Sequence, residues 1–458
     1  MLGEIKMTSS VIDSALFKDQ YGTKAMRDVF SDETQIQKWL DAWDALAQAE
    51  ATQGIVPQKD ADEIKAKAVF KNINTDEVRE GFKKTAHPLM PQIKSFTKSL
   101  SPEAGGYVHW GATTQDITDT GLVLQLKDAQ AIIVSQVEDL LRDCLKQADK
   151  YKNLVMAGRT HAQHAVPITL GYKIAIWANE FGRHLERLEQ AKHRYLVGEL
   201  AGAAGTLASL GDKGLAVQAK YCELLGLETP LITWHVSRDG FAEFSDILSM
   251  IAGTVAKIAN EIINLQRTEI EEVEEGFTMG KIGSSTMPQK RNPMICENIV
   301  ATTRLVQASA PLGTTAMVQE HERDMSFWQT DWAYLPQICI NLSGAMAMLH
   351  TVINQMIVHE DNIKRNLAMT KGMIVSERVM LDLGHYLGRQ VAHEVIYENC
   401  MKAFEEDKPL LDLLLQDARV TDDVDEATLR ELLDPENYSG SSAKMVDQVL
   451  GRYSEYLD

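Results

Sequence analysis

From Leu122 to Ala157 the chain contains neither glycine nor proline, and apolar residues recur at Leu122, Leu126, Ala129, Ile133, Val137, Leu140, Cys144 and Leu145. That spacing lays a single apolar stripe along a helix. At about 1.5 Å per residue such a helix reaches roughly 50 Å, well beyond a small domain, so it needs long partners. One is supplied by Phe244, Leu248, Ile251, Val255, Ile258, Ile262 and Leu265, whose alternating steps of four and three form a heptad seam. Further helical stretches run over Leu170–Leu196 and Asn298–Ala310, and Pro336 starts or kinks another near Trp332–His359. β-Branched residues alternating with polar ones are scarce, so any sheet is minor. The expected class is all-α.

Three helical domains follow from the breaks. The first covers residues 1–106 and ends at the turn-rich Pro102-Glu103-Ala104-Gly105-Gly106. A central long-helix bundle covers 107–360, and a smaller C-terminal helical domain covers 361–458. Bundle helices this long leave apolar faces that one subunit cannot cover, so association is expected. The formal net charge of −19 argues against nucleic acid or an anionic membrane as the main partner. It leaves room for an anionic small molecule in a local basic pocket. The five cysteines are scattered, with no CxxC, which suits a reducing compartment. The first residues lack a secretory pattern and no stretch is apolar enough to span a bilayer, so the expected location is the cytoplasm.

The chemistry-bearing segment is Gly283-Ser284-Ser285-Thr286-Met287-Pro288-Gln289-Lys290-Arg291-Asn292-Pro293. Flexible glycine, small hydroxyl side chains and successive backbone N–H groups can hold an anion. Lys290 and Arg291 add positive charge, Asn292 adds an amide, and the two prolines stiffen the flanks. Read alone, the string also fits a surface turn between helices. His161 and His164, three apart, invite a metal reading, but no HExxH pattern or Cys/His cluster accompanies them. Gly202-Ala203-Ala204-Gly205-Thr206 is not a dinucleotide fingerprint, and it is read as a close approach of helices. The acidic run Glu269–Glu275 reads as a solvated face or a helix-terminal interface.

The string closely resembles the signature loop of the fumarase/aspartase superfamily. Two further segments are similar to that family in the same order: His109-Trp110-Gly111-Ala112-Thr113-Thr114-Gln115-Asp116 and Gly158-Arg159-Thr160-His161-Ala162-Gln163-His164-Ala165. The resemblance implies three helical domains, a homotetramer of long central helices, and active sites shared between three subunits. It implies anti-elimination through a doubly negative aci-carboxylate, usually releasing fumarate, with no cofactor and no metal. Preorganised donors and cations must stabilise that dianion.

Carried over by resemblance, Ser284 or Ser285 is the general base, with Ser284 favoured. Lys290 and Asn292 grip substrate carboxylates, and Thr113, Thr114, Gln115 and Gln163 add hydroxyl and amide contacts. His161 matches the histidine that protonates the leaving group in adenylosuccinate lyases, and Glu297 stands where its carboxylate partner is placed. A neighbouring carboxylate raises an imidazole pKa and fixes its tautomer. His87 corresponds to a second active-site histidine or to a surface cap. Glu322-Arg323-Asp324-Met325-Ser326 resembles the adenylosuccinate lyase segment that holds the nucleotide phosphate, which puts Arg323 and Ser326 among the substrate contacts. Here, however, Phe327-Trp328 follows instead of His-Ser, and Gln20-Tyr21-Gly22 replaces the usual Arg-Tyr pair. The expected substrate is a small dicarboxylate or N-substituted aspartate, cleaved at carbon–nitrogen to give fumarate. The alternative is a 3-carboxy-cis,cis-muconate cycloisomerase, whose members carry tryptophan at the position of His161. A non-catalytic, crystallin-like scaffold is the reading from another class, and it has no need for Ser284, Lys290, Asn292, His161 and Glu297 together.

Overall fold

A computed structural model describes residues 10–277 and 283–457. It is mostly helical, with two small two-stranded sheets. The elements that position the site are α1 (Asp32–Thr52), α2 (Met90–Thr97), α3 (Thr114–Lys150), α4 (Leu170–Tyr195), α5 (Asp239–Leu265), α6 (Met294–Ser309) and α7 (Trp328–Gln355). Between α3 and α4 lies an antiparallel hairpin, β1 (Val155–Thr160) and β2 (Gln163–Thr169). A short pair, β3 (Val273–Glu274) and β4 (Ile357–Val358), follows the long helices. No helix among the described residues is long and apolar enough to cross a membrane.

The periodicity arguments hold along the helix bodies. Every residue of the α5 seam is at most 2% exposed, and the α3 stripe from Leu126 to Leu145 is fully buried. Pro336 lies inside α7, so it neither starts nor ends that helix. The end of α3 differs from expectation. It stops at Lys150, and Val155–Thr160 is a strand rather than the last turns of a helix. No local breaker forces this change; cross-strand pairing with Gln163–Thr169 does, from Val155↔Thr169 to Thr160↔Gln163. The N–H of Gly171 then closes onto the Tyr151 carbonyl at 2.9 Å. A Cβ on Gly171 would lie 2.4 Å from the Ala148 carbonyl oxygen, so only glycine permits the approach.

The described chain forms two compact units. One comprises the chain up to Val137 with His184–Val255 and Ala301–Ala347; the other comprises Glu138–Arg183, Ala256–Val300 and the chain from Met348 onward. In the first, α1 starts at Ser31, whose hydroxyl accepts the Thr34 N–H, with Asp32 and Glu33 favourable to the helix dipole. Its apolar face places Trp39, Leu40, Trp43 and Leu46 in a core with Leu89, Phe96, Ile117, Leu200 and Tyr221. Trp43 stacks on Phe96 of α2 at 5.9 Å between ring centroids. The second unit has its own core, in which Val379, Leu383, Val395 and Ile396 pack with Leu410, Leu414 and Ala157 of the hairpin.

Candidate active site

In the first unit the segment before α3 is organised by one buried carboxylate. Asp116 lies in the first turn of α3 and accepts the N–H of Thr113 at 2.8 Å and those of Ala201 and Gly202 at 3.0 Å. It also receives Nε2 of His235 at 2.8 Å. Gln115, fully buried, donates its amide to Asp119 at 3.0 Å and to the His235 carbonyl at 2.8 Å, which turns its Oε1 outward. Arg323 occupies the space so defined. Its Nη1 donates to Thr113 Oγ1 at 2.5 Å and reaches the Ala203 carbonyl at 3.5 Å, while Nε lies 3.5 Å from Gln115 Oε1. All these acceptors are neutral, so the guanidinium charge is held without being cancelled.

His87 is a helix cap that also faces Thr114. Nδ1 accepts the N–H groups of Leu89 and Met90 at 3.2 and 3.1 Å, capping α2, and Nε2 lies 3.4 Å from Thr114 Oγ1. Because Nδ1 accepts, the neutral ring carries its proton on Nε2, towards Thr114. His109 receives the Trp43 indole N–H on Nδ1 at 3.3 Å, and burial, with a contribution from His87, pushes its pKa down. The loop beyond Arg323 is locked by Asp324, which accepts the N–H groups of Glu320, Ser326 and Phe327. Burial works against the Asp324 charge, but these donors win and lower its pKa. Ser326 is exposed, and its hydroxyl is not brought to Thr113 or Gln115.

The second unit carries the other candidates. His161 and Ala162 form the tip of the β1–β2 hairpin, both with positive φ (51° and 63°). A tight hairpin turn demands that conformation, and Asn-Gly would satisfy it with less strain. His161 and Gln163 are therefore presented to the outside. Behind the tip, Arg159 makes a bidentate pair with the fully buried Glu272 at 2.9 and 2.6 Å, and Asn366 donates to the same carboxylate at 2.9 Å. His164, opposite Arg159 in register, has its pKa lowered by burial and by that guanidinium.

In the signature loop, Ser284 Oγ accepts the N–H groups of Thr286 at 3.4 Å and Met287 at 3.2 Å. Ser285, Lys290 and Glu297 are exposed, and Asn292 is half-buried. His161 and Glu297 are not hydrogen-bonded to each other within the chain. Of the two readings of the acidic run, the helix-terminal interface holds, with Glu269 and Glu271 exposed. Glu272, Glu274 and Glu275 are all buried: the first holds Arg159, the second holds Arg291 at 2.9 Å, and the third accepts the Ile295 and Cys296 N–H groups that open α6. An anion at a helix N-terminus is favourable there.

Comparison with known proteins places the chain in a family. The family described as Lyase matches residues 19–308, and that described as Adenylosuccinate lyase C-terminus matches 372–449. The chain belongs to the fumarase/aspartase superfamily of lyases. Within it, a protein of Enterococcus italicus named N-acetyl-S-(2-succino)cysteine lyase is 42% identical over 447 residues, 98% of each chain. The adenylosuccinate lyase of Methanocaldococcus jannaschii is 38% identical over 94% of each chain. The crystal structure of the 3-carboxy-cis,cis-muconate lactonizing enzyme of Pseudomonas putida matches with a TM-score of 0.91 at 35% identity, covering 97% of this chain and 100% of that one.

Motifs alone do not reveal the buried groups beneath the candidate residues: Glu199, His235 and Arg238 in the first unit and Glu272 in the second. The compact string Trp234-His235-Val236-Ser237-Arg238-Asp239, directly before the α5 seam, is the signal that points to two of them. Arg238, fully buried, pairs with Asp119 at 2.7 Å and Asp331 at 2.9 Å. Burial pushes the Asp331 carboxyl up to about 6 against the opposing pull of Arg238. Asp116, Glu199 and His235 offer ligand atoms within 4.8 Å of one another, a spacing compatible with a cation. The donors present argue otherwise: amide and imidazole N–H groups already point at both Asp116 oxygens, and a cation there would face their protons.

Proposed function

We propose that the chain releases fumarate from a compound carrying a 2-succino group, by anti-elimination with Ser284 as the base. The observation that carries this is the pair of amide N–H groups on Ser284 Oγ, for which Ser285 has no counterpart. A serine hydroxyl is a poor base at neutral pH, and N–H donors on its oxygen, with Lys290 near in sequence, lower the cost of the alkoxide. Ser284 takes the proton from the carbon beside one carboxylate. The electron pair passes into that carboxylate as the aci form, which Lys290 and Asn292 stabilise. The bond from the neighbouring carbon to the heteroatom then breaks, and the departing atom receives a proton from His161. Arg323, held by Thr113 and Gln115, takes the anionic end of the substrate. The active form is a homotetramer in which His161, the signature loop and the Thr113 segment of one site come from three subunits.

The leaving atom is sulfur in the reading favoured here. The similarity to N-acetyl-S-(2-succino)cysteine lyase supports it, and Phe327-Trp328 and Gln20-Tyr21-Gly22 depart from the nucleotide-binding pattern. The second reading is an N-substituted aspartate, which His161 favours because an amine cannot leave without a proton. Ultraviolet detection of fumarate with S-(2-succino)cysteine derivatives, adenylosuccinate and carboxymuconate separates these. Turnover of the thioether is expected, and a preference for adenylosuccinate or carboxymuconate would overturn it. His161→Ala then tests the leaving group further. A thiol with a pKa of about 8.5 can leave as its anion when His161 is absent, so the loss should be near the lower end of the about 10²- to 10⁴-fold range of general acid catalysis.

A further inference from the structure

Arg323 is bonded to three neutral acceptors, and none of the three is free to choose its own position. Thr113 and the Ala201–Gly202 turn that leads to Ala203 are both pinned by Asp116. Gln115 is pinned by Asp119 and by the backbone of His235. These ties converge on His235, a fully buried residue that no step of the elimination consumes. Its Nε2 lies 2.8 Å from Asp116 and 4.0 Å from Glu199, and its Nδ1 has no protein partner. Glu199 in turn accepts the Trp234 N–H at 2.7 Å, and its own backbone N–H and carbonyl bond the Thr120 hydroxyl at 2.9 Å.

Two carboxylates and one imidazole buried this close cannot all carry their ordinary charges without a large desolvation cost. The cluster keeps its protons instead. Burial drives the Glu199 carboxyl up to about 7, against the pull of His235. For His235 burial favours the neutral ring, but the Asp116 hydrogen bond and the Glu199 and Asp116 charges outweigh it and raise the pKa. His235 is thereby kept as a donor to Asp116.

We propose that His235 is a positioning residue for substrate anion binding: through its Nε2–H bond to Asp116 it holds Thr113 and the Ala201–Ala203 turn against Arg323, so that the guanidinium faces the substrate carboxylate. The proposal rests on the reading that Arg323 takes a carboxylate, and the experiment keeps the two apart. Fumarate is titrated calorimetrically into the purified protein, its His235→Met, His235→Gln and His235→Asn variants, and Arg323→Gln, with melting temperatures recorded alongside. His235→Met, which removes the donor, should weaken fumarate binding about tenfold at unchanged stoichiometry. His235→Gln, long enough to place an N–H on Asp116, should recover most of the affinity. A merely structural role would lower the melting temperature and the bound fraction while leaving the dissociation constant alone, and that result overturns the proposal. Loss in Arg323→Gln with none in His235→Met overturns it too. An unchanged constant in Arg323→Gln means instead that the carboxylate assignment of Arg323 is wrong. If His235→Met does not fold, His235→Asn decides: too short to reach Asp116, it should bind fumarate several-fold more weakly than His235→Gln, and equal constants overturn the idea.

Discussion

Ser284 and Ser285 are adjacent and chemically identical in sequence, and what separates them is where their oxygens point. Of the two, among the described residues, Ser284 Oγ collects backbone N–H groups and Ser285 Oγ does not, so Ser284→Ala should abolish fumarate release while Ser285→Ala keeps activity within about tenfold. Fumarate assays on both variants, with melting temperatures unchanged, check this; the reverse pattern would move the base to Ser285. Glu50 shows the cost of a charge with no such support. It is fully buried in α1, neither carboxylate oxygen has a partner, and burial drives its pKa up to about 8. The fold therefore favours the protonated acid, whereas the unfolded chain releases the proton near the ordinary 4.5. Stability from this group is intact below 4.5 and drains away as pH rises towards about 8, at about 1.4 kcal/mol per pH unit. Glu50→Gln imitates the protonated form and should be more stabilising at pH about 7.5 than at about 5, by roughly 3 kcal/mol. Equal gains in urea midpoint at the two pH values would show that Glu50 is not held neutral.

At the scale of elements, the hairpin tip pays for its geometry with side chains in a left-handed conformation. Ala162 is exposed with φ 63°, so Ala162→Gly should relieve the strain. Offsetting the entropy lost by glycine, the net gain is about 1 kcal/mol, read as a higher melting temperature. A fall in melting temperature would mean that the Ala162 methyl group packs. The same hairpin marks how far the sequence can be read. The α5 seam and the α3 stripe were legible because burial repeats with the helical period, and each member reports on the same face. Where α3 stops was not legible. Val155–Thr160 becomes a strand through pairing with residues across a turn, and no residue inside the run announces it. The run Glu269–Glu275 left two readings open, a solvated face or a helix-terminal interface, for the opposite reason. Consecutive acids look solvated until a distant Arg159 and the N-terminus of α6 supply their partners. Among the candidate site residues, Thr113, Thr114, His87 and Arg323 were drawn from three separate stretches, and the fold brings them into hydrogen-bond contact. The network beneath them runs from Asp116 through His235 to Glu199. The His109–Asp116 segment contains Asp116 and the string Trp234–Asp239 flags His235, but Glu199 and the ties between the three become visible only as distances.

At the scale of the whole molecule, the question is which chain supplies which part of a site. His87, Thr113, Thr114, Gln115 and Arg323 belong to one compact unit, and His161, Gln163, Ser284, Lys290, Asn292 and Glu297 belong to the other. His161 stands exposed at a hairpin tip and Glu297 is exposed at the start of α6, without the bond to each other that a general acid and its partner need. A homotetramer with sites shared between subunits explains both exposures, and complementation tests it. Arg323→Gln and Ser284→Ala are each expected to be inactive alone. Mixed by co-expression, they form hetero-tetramers in which every chain carries one defect. If Arg323 and Ser284 of a site come from different chains, each is intact with a chance of one half, and about a quarter of the sites are wholly wild type. If both come from the same chain, no intact site can form and the mixture stays dead. Recovery of roughly a quarter of wild-type fumarate release by the co-purified pair is therefore the expected result. Activity that remains at the level of the separate variants, in tetramers verified to be mixed, would rule out the shared site.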